Sequence, residues 1–353
     1  MVKTYFYDPS KSVEYHIEHG PLIEGIEFKN DIKKGNFTFL GQQVNSLFGA
    51  PAFALTMDHR WTSVLSRLGF DIITYKTVRT VKRPPNPWPN WMFVNSKHQL
   101  AKEDLEKPII GSIESFKDQE LSTANSFGVP SNEPEYWKTD FEKAKNEIQE
   151  GQLLILSIMT SAIEGRTQVE DAKILAQYAA ETSAEAFEIN FACPNTEGEG
   201  LIYEDVDLTI KICEQLKAVI GNRPLLVKVG YYRNQNDLKR FMTETNGTIS
   251  GISSTNTFAM KIVNTEGKSA FGDREVAGVA GAAVRNLAHE QINTIMKFKN
   301  ELQLSDFTVV AIGGISKPEH IQEYVDMGVQ AVQAASALWQ NPYLAYQFKE
   351  KYL

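Results

Sequence analysis

The sequence is poor in the residues that build metal sites. Its 353 residues include two cysteines, Cys193 and Cys213, and six histidines. An iron–sulfur cluster or a structural zinc site usually needs four ligands rich in thiolate, and the histidines show no paired spacing that could replace them. We therefore expect no intrinsic metal site, and any iron–sulfur relay would have to belong to another chain.

Long hydrophobic runs and an excess of positive charge are also missing. The apolar stretch at 153–159 has the length of a strand, well short of the roughly 20 residues that cross a bilayer. With 44 acidic against 36 basic residues the net charge is −8, which does not favour nucleic acid or acidic membranes. The first residues lack the apolar run and small-residue cleavage site of a signal peptide. These features predict a cytoplasmic protein with a small-molecule partner, no nucleic-acid partner and no transmembrane segment.

Eight short apolar runs, each followed by a longer polar-patterned segment, organise the chain. They are PAFALTM (51–57), DIITYKTV (71–78), LLILSIM (153–159), AFEINFA (186–192), LLVKVG (225–230), GISSTNT (251–257), TVVAIGG (308–314) and AVQAAS (331–336). The segment 168–182 has apolar residues at helical spacing. A doubly wound sheet is the rival, but no G-x-G-x-x-G turn follows the first run. We predict an α/β fold, a (β/α)8 TIM barrel, as a single domain over residues 1–353.

Two segments exceed the bare barrel. Residues 1–44 are interpreted as an N-terminal extension, and residues 81–124 as an insertion after the second strand. The insertion contains RPPNPWPNW, which is incompatible with a helix interior. Because loops that follow barrel strands lie on the catalytic face, the insertion is expected to act as a lid. A solvent-exposed excursion pinned by Trp88 and Trp91 is the alternative.

Two lysines stand inside otherwise apolar strands. A buried ammonium is costly unless an anion or a carbonyl meets it, so Lys76 and Lys228 are expected to contact a cofactor or a substrate. An internal salt bridge is the structural alternative. A Schiff-base lysine is the catalytic one, which would make the protein an aldolase that uses Lys228.

The sequence at the ends of the last two predicted strands indicates a phosphate-binding site. AIGGIS at 311–316 and AASA at 334–337 offer backbone amides and a hydroxyl, the usual means of binding phosphate in a barrel. A phosphorylated cofactor or substrate is therefore expected there, although paired glycines also form plain turns.

The segment NFACPN at 190–195 places a thiol between two carboxamides. Asn190 and Asn195 could form in-plane hydrogen bonds with a flat heterocycle that carries imide groups. Cys193 could then be a base or a nucleophile, whereas a lone cysteine is more commonly an inert small hydrophobe. Cys213 lies in a helical pattern and is interpreted as a core residue.

Several of these motifs occur in the same order in a known family. NFACPN, LVKVG, STNT, AIGGIS and VQAASAL, together with LSRLGFDIITYKTV and NSFGVPS at 125–131, resemble the dihydroorotate dehydrogenase family over roughly residues 45 to 340. The resemblance implies an α/β barrel that holds FMN and oxidises dihydroorotate to orotate in the biosynthesis of pyrimidines and UMP. In the family's soluble class the catalytic base is a cysteine, so Cys193 would be the base.

The resemblance also assigns the remaining site residues. Substrate contacts would come from Lys76, Asn125, Phe127, Gly128, Val129, Asn190, Asn195, Asn256 and Thr257. Flavin contacts would come from Ala54, Lys76, Thr77, Asn190, Lys228, Gly278, Gly313, Gly314, Ala335 and Ser336, with Lys228 reaching the pyrimidine ring of the flavin. The sequence departs from the family in its first loop, which reads AFALTM in place of Ala-Ser-Gly, and in Ala192, which replaces a serine.

Two properties stay open at this stage. The substrate could instead be another pyrimidine, as in the uracil-reducing relatives of the dihydrouracil type. The electron acceptor could be fumarate, a nicotinamide reached through a separate subunit, a quinone or oxygen. We expect a homo-oligomer, and specifically a dimer. A separate electron-acceptor subunit is a further possibility.

Overall fold

The structure, a computed structural model, describes residues 4–96, 98–117, 119–192 and 201–353. In chain order its strands are β1 (Phe37–Phe39), β2 (Gln42–Val44), β3 (Phe48–Ala50), β4 (Ile72–Val78), β5 (Trp91–Val94), β6 (Ile109–Ser112), β7 (Ser122–Asn125), β8 (Leu153–Ile158), β9 (Phe187–Asn190), β10 (Leu225–Lys228), β11 (Gly251–Ser254), β12 (Phe258–Val263), β13 (Val276–Gly281), β14 (Thr308–Ile312) and β15 (Ala331–Gln333). Its α-helices are α1 (Val13–His19), α2 (His59–Arg67), α3 (Pro134–Glu147), α4 (Gln168–Ala180), α5 (Val206–Ile220), α6 (Gln235–Glu244), α7 (Arg285–Glu301), α8 (Pro318–Asp326) and α9 (Leu344–Tyr352). None of the helices formed by the described residues has the length and apolar character needed to cross a bilayer.

Eight parallel strands close into a barrel in the order β10-β11-β14-β15-β3-β4-β8-β9. A helix follows each barrel strand along the chain, from α2 after β3 to α9 after β15. Helix α4 begins where the sequence predicts it, because the side chain of Thr167 accepts from the amide of Glu170 while the Glu170 carboxylate accepts from the amide of Thr167. The predicted TIM barrel is confirmed.

The first barrel strand differs from its prediction. The sequence pattern placed it at 51–57, but β3 covers Phe48–Ala50 and residues 54–56 form a 3-10 turn. Pro51 has no N–H to donate to the ladder, so the strand ends before it. Position 49 of β3 requires glycine, because a Cβ there would lie 1.8 Å from the carbonyl oxygen of Ile72. The apolar run at 51–57 therefore does not mark the strand itself but the segment that follows it.

The predicted insertion forms strands of a second closed sheet, β12-β13-β7-β5-β6. Its pairs are antiparallel except β12 with β6. Met92, Val94, Ile109, Phe258 and Ile262 are buried in its core. The segment 81–124 is thus built into a sheet together with residues that follow β11, which the sequence pattern did not predict.

The N-terminal extension serves both ends of the barrel. Phe39 and Val44 of the β1–β2 hairpin are buried with Ile72 and Leu153, which lie at the starts of β4 and β8. The hairpin therefore closes the end of the barrel opposite the catalytic face. Tyr7, from the earlier part of the extension, packs with its ring edge-on to residues near the other end of the strands, as described below.

Candidate active site

The barrel interior changes from apolar to polar along its axis. Above the apolar layer that surrounds the hairpin lies a layer of buried polar side chains: Thr74, Ser157, Glu188, Ser253 and Gln333. Hydrogen bonds cross this layer. Gln333 Nε2 donates to Thr74 Oγ1 at 3.0 Å, and Ser157 Oγ donates to Glu188 Oε1 at 3.5 Å. Since barrel interiors are mostly filled by branched apolar residues, a polar layer indicates chemistry directly above it.

A cavity of about 1010 Å³, counted out to its open mouth, lies above the polar layer at the carboxyl ends of the strands. Strands β7 and β13 of the second sheet cover it with residues that include Thr123 and Gly281. Most of the predicted site residues line this cavity: Ala54, Lys76, Asn125, Phe127, Gly128, Val129, Asn190, Lys228, Asn256, Thr257, Gly313, Gly314, Ala335 and Ser336. The fold therefore brings together residues from eight separate segments of the sequence.

Two predicted flavin contacts lie beside the cavity and do not line it. The pairing of β4 with β8 shifts register between Tyr75 and Val78, and the hydroxyl of Thr77 lies 2.9 Å from that of Ser157 in the polar layer. Gly278 lies behind Thr257, where a Cβ would come within 2.1 Å of Thr257 Oγ1. Both residues support the wall from outside. The predicted base Cys193 and the predicted substrate contact Asn195 fall outside the described residues.

Lys228 is the most unusual charge of the cavity wall. Its side chain is 4% exposed, and in the described part of the chain it forms no hydrogen bond and no ion pair. Burial lowers the pKa of its ammonium, and the charge of Glu188 opposes that shift. A buried ammonium without a partner needs an anion or a carbonyl from a ligand, so the cavity fits a ligand that brings one.

The carboxamides near the end of β9 orient one another. Asn256 Nδ2 donates to the carbonyl oxygen of Ala192 at 2.7 Å and to Asn190 Oδ1 at 3.2 Å. Asn256 Oδ1 in turn accepts from the amide of Thr257 at 2.9 Å. Because both side chains are held in place before any ligand arrives, they can select a flat heterocycle by in-plane hydrogen bonds.

A glycine pair forms the opposite side of the cavity. Gly313 and Gly314 follow β14 with φ values of +135° and +66°, and a Cβ on either would lie 2.4 Å from the Cβ of Ala288 or Arg285 at the start of α7. On the neighbouring strand end, Ser336 Oγ lies 3.2 Å from Thr123 Oγ1. In the barrel order β14 and β15 stand across from β8 and β9.

The wall therefore offers glycine backbone and hydroxyls on one side and carboxamides on the other, together with an ammonium that pairs with none of the residues that the structure describes. That combination fits FMN, which has a phosphate at one end and a flat ring with imide groups at the other.

The predicted substrate loop is held from behind. Val129 has a φ of +50°, which is rare for a β-branched residue. Arg79, fully buried, donates from Nε to the Val129 carbonyl at 3.2 Å and from Nη1 to the Thr160 carbonyl at 3.0 Å. The carbonyl of Phe127 accepts from the amide of Asn86 at 3.0 Å. These contacts maintain an unfavourable backbone conformation where the loop meets the cavity.

Sequence reasoning missed several cavity residues. Thr123 lies two residues before Asn125 in β7, so strand alternation from Asn125 could have found it. Phe53 and Trp339 also line the cavity, and the ring of Tyr7 packs edge-on to Trp339 and to Phe127 at centroid distances of 6.3 and 6.2 Å. No local pattern predicts that the N-terminal extension supports this wall.

Comparisons with known proteins agree with one another. Residues 113–352 match the family model described as dihydroorotate dehydrogenase. The chain is similar to the dihydroorotate dehydrogenase of Dictyostelium discoideum, at 31% identity over 97% of this chain and 96% of the relative. It is also similar to the catalytic subunit of a dihydroorotate dehydrogenase B (NAD(+)) from Archaeoglobus fulgidus, at 30% identity over 46% of this chain and 52% of the relative.

Two further similarities differ in what they cover. A dihydroorotate dehydrogenase A (fumarate) from Limosilactobacillus reuteri is 25% identical over 53% of this chain and 58% of the relative. The fold is similar to the crystal structure of a dihydroorotate dehydrogenase from Eimeria tenella in complex with ferulenol, with a TM-score of 0.74 and 16% identity over 98% of this chain and 91% of that one. At that identity the structural similarity supports the barrel fold alone.

Proposed function

The chain belongs to the dihydroorotate dehydrogenase family and is an oxidoreductase of pyrimidine biosynthesis, and from that premise we propose that it uses FMN, held in the barrel cavity, with Cys193 as the catalytic base. The observation that carries the cofactor assignment is Lys228, a buried ammonium that faces the cavity and has no ion pair or side-chain hydrogen bond among the described residues. An oxidoreductase of this family has no need of a Schiff base, so we assign Lys228 to flavin binding and not to an aldolase reaction.

Each end of the cofactor has a proposed set of contacts. Gly313, Gly314 and Ser336 would bind the phosphate through backbone amides and a hydroxyl. Lys228 would contact the pyrimidine part of the ring, where it can favour negative charge. Asn190 would contact both the flavin and the substrate. Ala54, from the loop after β3, would pack against the ring.

The substrate would lie between the flavin and the second sheet. Asn125, Asn190, Asn195 and Asn256 would bind the carboxylate and imide edges of dihydroorotate, and Lys76 would meet its negative charge. Cys193 would take the C5 proton of dihydroorotate. Bound FMN would accept the hydride that leaves C6. Exclusion of water from the Cys193 thiolate would favour proton transfer.

The oxidant, the assembly and the location extend the proposal. We propose a cytoplasmic homodimer. One relative is named for fumarate and another for NAD(+), and a chain with two cysteines would need a separate subunit to carry any iron–sulfur relay to a nicotinamide.

The assignment of Cys193 is tested by replacing it. Cys193→Ala should keep its FMN but slow anaerobic flavin reduction by dihydroorotate about 10²- to 10⁴-fold, the usual contribution of a general base. Stopped-flow absorbance gives the rate, and absorbance of the released flavin gives the occupancy. Cys213→Ala is the matched control, because Cys213 is fully buried in α5 and should leave the rate unchanged.

Two outcomes would contradict these assignments. An unchanged rate in Cys193→Ala would remove this residue from the reaction. Binding of uracil without binding of orotate would move the substrate to the dihydrouracil type.

A further inference from the structure

Glu188 is a buried carboxylate for which the proposed reaction has given no role. It lies on β9 two residues before Asn190, so both side chains face the barrel interior. Glu188 is 1% exposed. In the described part of the chain the Glu188 carboxylate accepts one hydrogen bond, from Ser157 Oγ at 3.5 Å, and no cation forms an ion pair with it. A buried carboxylate is costly unless an opposite charge compensates it.

The charge that can compensate Glu188 is that of Lys228. Strands β9 and β10 are neighbours, and their register pairs Asn190 with Lys228. Glu188 therefore lies one layer below Lys228 on the adjacent strand. Of the charged groups in the described part of the chain, Glu188 is the one whose field supports the Lys228 ammonium against the effect of burial. Neither side chain forms an ion pair with another described residue, and we interpret each as the counter-charge of the other.

The orientation of Glu188 is fixed from the other side. Ser157, on β8, donates to its carboxylate, and the Ser157 hydroxyl lies 2.9 Å from that of Thr77 on β4. Thr77 follows Lys76, which lines the cavity. The polar layer therefore runs from β4, which carries Lys76, to β9, the strand beside Lys228.

We propose that Glu188 is a positioning residue of the active site: its buried carboxylate keeps Lys228 as an ammonium in the wall of the cavity that would hold FMN. This inference rests on the proposed binding of FMN. If Glu188 loses its charge, nothing else in the described part of the chain offsets the desolvation of Lys228. A neutral amine would no longer favour negative charge in the flavin ring, although the shape of the cavity would be retained.

The test is Glu188→Gln, which keeps the size and the hydrogen-bonding capacity of the side chain and removes its charge. We expect the apo form of the Glu188→Gln variant to bind FMN at least about tenfold more weakly than the wild-type apo protein does. We also expect the oxidised flavin to be favoured over the reduced flavin by about tenfold, which lowers the midpoint potential by about 30 mV for a two-electron couple. Titration of apo protein and equilibration with a reference dye give the two values. An unchanged or a raised potential would overturn the inference.

A control variant and a double-mutant cycle separate the effect of losing the Glu188 charge from general damage to the barrel. Ser253 belongs to the same buried layer, and its hydroxyl has no partner in the described part of the chain. Ser253→Ala should therefore change the equilibrium between oxidised and reduced flavin by less than about twofold. In a Lys228→Met background, Glu188→Gln should add no further loss of FMN affinity, because the group on which it acts is gone. Additive losses would mean that Glu188 is merely structural. Glu188→Asp should recover part of the potential.

The design also separates this inference from the proposed function. Wild-type protein that binds no FMN would refute the proposed function, whatever the variants do. Wild-type protein that binds FMN and is reduced by dihydroorotate, with a Glu188→Gln variant of the same potential and FMN affinity, would refute only the role of Glu188.

Discussion

The two halves of the barrel interior are built from the same strands and have opposite chemistry. In the lower half, Ile72, Leu153 and Leu226 surround the side chains of Phe39 and Val44 from the hairpin. In the upper half, two or more positions further along the same strands, the residues are Thr74, Ser157 and Lys228. A TIM barrel can fill its whole interior with branched apolar residues, so the polar half sacrifices packing stability for function.

This comparison separates stability from activity along one axis. Residues of the lower half should matter mainly for the free energy of unfolding, because they contribute buried apolar area. Residues of the upper half should matter mainly for ligand binding, because a buried polar group gives little net stability and is costly when unpaired.

The largest effect on stability is expected from the hairpin. Phe39 is 2% exposed, so Phe39→Ala should lower the free energy of unfolding by about 3–5 kcal/mol through lost burial and the cavity left behind. Chemical denaturation measures the loss. The folded fraction should bind FMN with wild-type stoichiometry. Phe37→Ala is the matched control, since Phe37 is in the same strand but only half-buried, and its loss should be clearly smaller.

If Phe39→Ala weakened FMN binding as strongly as it weakened the fold, the two halves would not be separable in this way.

A smaller effect, and one on binding, is expected from Lys228→Met. The variant removes the ammonium and keeps an unbranched apolar side chain in its place. A hydrogen bond to a charged group contributes roughly 1.5–3 kcal/mol, so the affinity for FMN should fall by about one to two orders of magnitude. Fluorescence titration of apo protein with FMN measures it. The free energy of unfolding of the apo protein should change far less than in Phe39→Ala, and full flavin occupancy with normal activity would contradict the role given to Lys228.

Much of the fold could be predicted because its signals are local. The barrel strands from β4 onward are continuous apolar runs bounded by turn residues, the expected pattern for parallel strands buried on both faces. The first strand was misplaced because it ends before Pro51, which has no backbone N–H to donate to the sheet. An apolar run does not by itself show where a strand ends. The second sheet was missed because β12 and β13 pair with strands more than 100 residues earlier in the chain, and sequence spacing contains no sign of that pairing.

The candidate site divides in a similar way. Residues such as Lys76, Asn190 and Gly313 could be predicted because they lie at or near the carboxyl ends of strands, and those ends converge on one face of a parallel barrel. Thr77 was assigned to the cavity by the family resemblance, whereas the register shift in β4 turns its hydroxyl to Ser157. Glu188 was passed over because a charge inside an apolar run has no visible partner until β9 and β10 are placed side by side.

The central claim, that the polar half of the barrel holds a flavin which dihydroorotate reduces, has a direct test. The visible absorption spectrum of the purified protein, followed anaerobically as dihydroorotate is added, reports cofactor and substrate together. We predict a flavin spectrum, present as purified or after reconstitution with FMN, that bleaches as dihydroorotate is added. A protein that takes up no flavin, or a flavin spectrum that persists through the titration, would contradict this account.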